Sequence, residues 1–188
     1  MTAVWGRVDR CAGAQNRGEI GCETEGMETA DLLRTHLVVL LRMQGAHLTL
    51  DEAVAGFPVA LRGRKPAGAT HTPWQLLEHL RIAQWDILDF CRNPKYQEMQ
   101  WPDDYWPPTE APPDGGAWER SVEQFRSDAQ ELEALISDES LDLFGRVPHG
   151  SGQTLLREAL LAADHNAYHL GQLVYARKML EGGAASSR

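Results

Sequence analysis

Two histidines, His165 and His169, stand four residues apart in the run ADHNAYHLGQL. If that run is helical, the two side chains lie about 40° apart around the axis and one turn along it, so both imidazoles reach one ion. A third, His79, sits in HTPWQLLEHLRIAQWDIL with Leu76 and Ala83 on its flank, which turns it inward by helical periodicity. Three neutral imidazoles suit zinc or nickel first, with iron, manganese or copper admissible. Three protein ligands rather than four leave a position for water or substrate. The chemistry on offer is that of a Lewis acid lowering the pKa of a bound S–H or O–H group. By itself a His-x3-His pair is a weak signal, because two histidines more often satisfy core or surface hydrogen bonds without any metal, so the spacing alone leaves both readings open.

Around this trio stand secondary candidates. Glu78, Asp86 and Asp164 are acids that can accept the second N–H of a ligating imidazole, or can be solvated charges. Asp86 is also a candidate proton carrier, as is His149 in the loop PHGSG. Tyr168 and Trp106 are candidates for contact with substrate. Gly171 and Gln172 fit close helix packing, His36 and His71 read as packed or surface residues, and His47 as exposed. The cysteines Cys11, Cys22 and Cys91 match no metal or disulfide spacing and read as reduced thiols.

The elements that must position these residues are helical. Residues 1–26 lack periodic apolar positions and read as a disordered extension outside the fold, followed by a domain over 27–181 and a flexible tail over 182–188. From Glu28, Leu32, Leu33, His36, Leu37, Leu40, Leu41 and Met43 recur at helical spacing up to a stop at Gly45. A short segment, Leu50 to Ala55, has Thr49 or Asp51 as its cap. Thr72-Pro73-Trp74-Gln75 reads as a capping box with proline at the first helical position, opening a helix to about Cys91. Residues 93–118 hold six of the ten prolines together with Trp101, Tyr105, Trp106 and Trp118, a composition that excludes a helix or a central strand. This long loop is either a lid or a structural cover. A plain amphipathic helix follows over roughly 116–137, and a last one opens between Ser151 and Thr154 and runs to Leu180, where Gly182 and Gly183 should stop it. The expected fold class is all-α, a four-helix bundle with a long Pro/Trp-rich crossover loop.

The two quoted histidine stretches resemble the signature of the DinB-like family, which includes YfiT-like proteins and the bacillithiol and mycothiol S-transferases. The resemblance spans about Met27 to Leu180. It implies a four-helix bundle holding one divalent metal on three histidines, one on the second helix and two on the last, places occupied here by His79, His165 and His169. It further implies activation of a low-molecular-weight thiol, making a thiol-dependent S-transferase the leading expectation. A metal-dependent hydrolase and a non-catalytic metal-binding stress protein are the alternatives. A net charge of -9 disfavours nucleic acid and anionic membranes as partners, leaving a small-molecule substrate. The absence of a long apolar run and of a signal-like start suggests a soluble, cytoplasmic protein, and the amphipathic faces admit a homodimer.

Overall fold

The computed structural model describes residues 29–185, so the expected extension over 1–26, with Cys11 and Cys22, lies outside the described residues. The described residues form five α-helices: α1 (Thr29–Leu41), α2 (Leu50–Val54), α3 (Pro73–Arg92), α4 (Ala117–Ser137) and α5 (Leu155–Ala185), with short 3-10 turns at Val59–Leu61 and Asp103–Tyr105. No strand occurs among the described residues. The long helices form an all-helical bundle in which α3 packs on α4 and α5, and α1 on the same two from the opposite side. None of the helices is long and apolar enough to cross a membrane.

Local chemistry fixes the boundaries. Thr72 caps α3 by accepting from the Gln75 backbone N–H at 3.2 Å while Gln75 accepts from the Thr72 N–H at 3.0 Å, the reciprocal pairing that the sequence announces. Thr49, not Asp51, does the same for α2 with Glu52. The end of α5 corrects the sequence reading: the helix continues through Gly182 and Gly183 to Ala185, because a glycine costs a helix only about 1 kcal/mol relative to alanine. The first helix is also corrected. Leu32 and Leu40 are exposed, whereas Arg34 is buried and donates to the carbonyls of Ile136 in the last turn of α4 and Leu141 just beyond it, so the apolar face is narrower than the periodicity suggested.

The core is divided along the bundle axis. One apolar cluster gathers Trp74, Leu77, Leu80, Trp118, Phe125, Leu170 and Leu173, and the other Leu37, Leu88, Leu132, Ile136 and Ala159. Between them α3, α4 and α5 contribute buried polar residues: His79, Gln84, Asp128 and Asn166. Asn166 donates to Gln84 Oε1 at 2.6 Å. The site histidines belong to this polar layer, which is why they stand at the edge of two cores and not in either.

Candidate metal centre

His79 is 1% exposed on α3; His165 and His169 are half-buried on α5. Their Nε2 atoms meet: His165 to His79 at 3.0 Å and His79 to His169 at 3.2 Å. The three offer ligand atoms that all lie within 4.8 Å of one another.

The other nitrogens show which way the lone pairs face. His79 Nδ1 lies 2.8 Å from the Tyr105 backbone carbonyl, which can only accept, so that nitrogen carries the proton and Nε2 keeps its lone pair. His169 Nδ1 donates in the same way to Gln172 Oε1 at 3.0 Å. His165 Nδ1 is buried without a well-formed hydrogen bond, although the Asn166 side chain, whose Oδ1 is also unpartnered, still favours its charged form weakly. Burial, the largest cause in each case, pushes all three imidazoles down to about 4, so they are neutral at pH 7. The Nε2 acceptors of His79 and His169, facing one another at 3.2 Å, repel unless a proton or a cation joins them, and His165 Nε2 stands 3.0 Å from the same His79 nitrogen. Tetrahedral coordination at 2.0–2.1 Å would set neighbouring nitrogens about 3.3 Å apart. The residues fit a divalent ion.

The loop that the sequence left as lid or cover forms a fixed wall of the site. Trp106 is stacked between His79 and His71, at ring separations of 3.9 and 3.8 Å and near-parallel planes. Tyr105 and Tyr96 donate their hydroxyls to Asp86 at 2.6 and 2.9 Å. Farther along, Thr72 Oγ1 donates to the Glu110 carbonyl and Trp74 Nε1 to Thr109, and Gly63 leaves room for Ala111, whose Cβ a side chain there would meet at 2.5 Å.

A cavity of about 520 Å³ opens beside His169, with His71, Trp106, Tyr168, Tyr175 and Met179 in its walls and no Lys, Arg, Asp or Glu. Gly68, at φ +78°, takes the left-handed conformation that lets residues 66–70 turn along its rim. Both expected substrate contacts, Trp106 and Tyr168, reach this cavity; the Tyr168 ring stands edge-on to His169 at 4.8 Å. The two candidate proton carriers are elsewhere. Asp86 and His149 line a second cavity of about 510 Å³ with Tyr105, Glu98 and Glu158, and His149 donates to the Phe90 carbonyl at 2.9 Å.

Other expectations are corrected. The partners of the imidazole N–H groups are Tyr105 and Gln172, whereas Glu78 is engaged by Arg81 and Ser121 and Asp164 is an exposed charge. Gln172 therefore does more than pack. His71, passed over as packed or surface, lines the cavity; its only sequence signal was its place just before the Thr72 cap. Burial pushes the Cys91 thiol up to about 12, which leaves it inert.

A family model for the DinB superfamily matches residues 43–173, more than half of the chain and the whole span from the end of α1 past His169. The chain belongs to the DinB superfamily. Comparison with curated proteins and with solved structures returns no match. Within this DinB-superfamily bundle, the matched span contains all three histidines, the Trp-rich loop and most of both cavity linings.

Proposed function

We propose that the chain is a metal-dependent S-transferase that conjugates a low-molecular-weight thiol to an uncharged, apolar electrophile. The observation that carries this reading is the convergence of ligand atoms from three histidines, one of which, His169, lies in the wall of an uncharged cavity. His79, His165 and His169 would hold a divalent ion, which would supply Lewis-acid chemistry able to lower the pKa of a thiol.

The chain's own residues do the rest. Tyr105 and Gln172 keep protons on the outer nitrogens of His79 and His169, so the Nε2 lone pairs of those two residues point inward. Trp106 and the buried layer beneath exclude water from one side, which strengthens the electrostatics of the site. Tyr168, Tyr175 and Met179 provide apolar surface for the electrophile. In the transfer, sulfur gives an electron pair to the electrophilic carbon, the bond to the leaving group breaks with its own pair, and the thiol proton is released to solvent. A non-catalytic ion would need no such cavity. A hydrolase would gain from an acid facing the ion, and Asp86 and His149 face the other cavity.

The test is metal content by mass spectrometry of untagged protein, wild type and His165→Ala, followed by thiol conjugation to a small neutral electrophile. One ion per chain, lost in the variant together with conjugation, supports the reading; a metal-free wild type overturns it.

A further inference from the structure

Asp86 lies seven residues after His79 on α3, two turns along the same face. It is buried, at 8% exposure, and its two oxygens are taken by two different phenols, Tyr96 through Oδ1 and Tyr105 through Oδ2. Only one of those tyrosines also touches the metal centre: the Tyr105 backbone carbonyl receives the His79 Nδ1 proton at 2.8 Å. The next residue, Trp106, lies flat against the same imidazole. The Tyr105–Trp106 segment thus holds one ligand by its edge and by its face, and its hydroxyl is tied back to the helix that carries that ligand.

We infer that Asp86 is a positioning residue which, through the Tyr105 hydroxyl, fixes the orientation and tautomer of His79. The consequence for metal affinity rests on the proposed reading of the three histidines; the tautomer lock does not. A backbone carbonyl specifies a proton on Nδ1 only while it stays in place, and a segment crowded with prolines has no ladder of its own to keep it there. The carboxylate supplies that tether from a rigid helix. Groups that orient a ligating histidine typically change metal affinity by 10–100-fold when removed, and one acting a step farther out belongs at the lower end.

Tyr96 provides the control, since it donates to the same carboxylate from a stretch of loop that does not contact His79. Zinc affinity by chelator competition, and the His79 tautomer in metal-free protein by 15N chemical shifts, are measured for wild type, Tyr105→Phe, Tyr96→Phe and Asp86→Asn. Tyr105→Phe and Asp86→Asn should weaken zinc binding about tenfold and populate the second tautomer, while Tyr96→Phe stays within about twofold of wild type. Equal behaviour of the two tyrosine variants, or a wild-type-like Tyr105→Phe, overturns the inference, and does so even if Asp86→Asn fails to fold. A selective tautomer change in a protein that binds no zinc upholds the positioning role and removes the metal reading alone.

Discussion

Two cavities of nearly equal size adjoin the Tyr105–Trp106 segment, the first lined by Trp106 and the second by Tyr105, and each has ionisable groups in or beside its wall. Beside the first, burial pushes three imidazoles down; in the second it pushes the carboxyls of Asp86 and Glu158 up. Desolvation drives each set toward its neutral form. The lone pairs are treated differently. Both Asp86 oxygens receive hydroxyl protons from within the fold, and Glu158 is paired with Arg157. At the histidines the protein supplies acceptors for the N–H side and leaves Nε2 atoms facing Nε2 atoms. A set of buried acceptors with no donor calls for a cation, and a carboxylate already holding two donors does not. What makes a site is the unmet half of the hydrogen-bonding ledger, not the number of ionisable residues.

The hardest blow to this contrast is removal of an imidazole. Structural zinc sites draw about 10–16 kcal/mol from four ligands, so His165→Ala should weaken metal binding by at least about a hundredfold. Asp86→Ala, which removes a carboxyl from the other cavity, should keep one ion per chain. Metal analysis after dialysis against a weak chelator decides between them; an ion retained by His165→Ala and lost by Asp86→Ala would reverse the roles of the two cavities.

Acid titration separates them by sign. In metal-free protein the imidazoles have folded values of about 4 against about 6.5 unfolded, so the unfolded chain takes up protons first. Stability is intact above about pH 6.5 and falls toward pH 4. Asp86 and Glu158 are raised above their ordinary values of 3.8 and 4.5, so the folded state binds those protons first and gains stability as pH falls through the raised values. Thermal melts of His165→Phe should therefore decline less steeply than wild type between pH 6.5 and 4.5, by up to about 1 kcal/mol per pH unit after solvent screening. Asp86→Asn should leave that limb unchanged and lose only the opposing gain at the acid end. A His165→Phe profile superimposable on wild type would place the titration elsewhere.

The sequence carried the bundle and the three histidines because both depend on periodicity: a helix repeats every 3.6 residues, and its caps are local. The Thr72 box and the His165–His169 spacing are of this kind. What escaped depends on contacts between distant segments. Nothing local in Tyr105 says that its carbonyl meets His79, 26 residues away, or that Trp106 fills the space between two imidazoles. Nor does anything local in Arg34 say that its guanidinium meets the carbonyls of Ile136 and Leu141, more than 100 residues away. Asp86 stood out as an acid near His79 that could orient an imidazole, carry a proton or be a solvated charge, and only its contacts with Tyr96 and Tyr105 distinguish among these.

The smallest expected effects lie at the rims, where the comparison is sharpened by two exposed residues. Tyr168 borders the uncharged cavity and touches His169 with its edge, while His149 borders the acidic one and uses Nε2–H on the Phe90 carbonyl. Tyr168→Ala removes apolar surface from the electrophile's cavity without disturbing a ligand's hydrogen bond. It should raise KM several-fold, about 1 kcal/mol of binding, with kcat and metal content unchanged. His149→Ala breaks one exposed hydrogen bond and should cost about 1 kcal/mol of stability or less, with neither kinetic constant altered. Steady-state kinetics across pH 6–9 distinguishes the two. If His149→Ala instead depresses kcat and shifts its pH profile while Tyr168→Ala does neither, then proton handling reaches the chemistry from the acidic side. The Tyr105–Trp106 segment, which gives Trp106 to one cavity and Tyr105 to the other, would not then separate them in function.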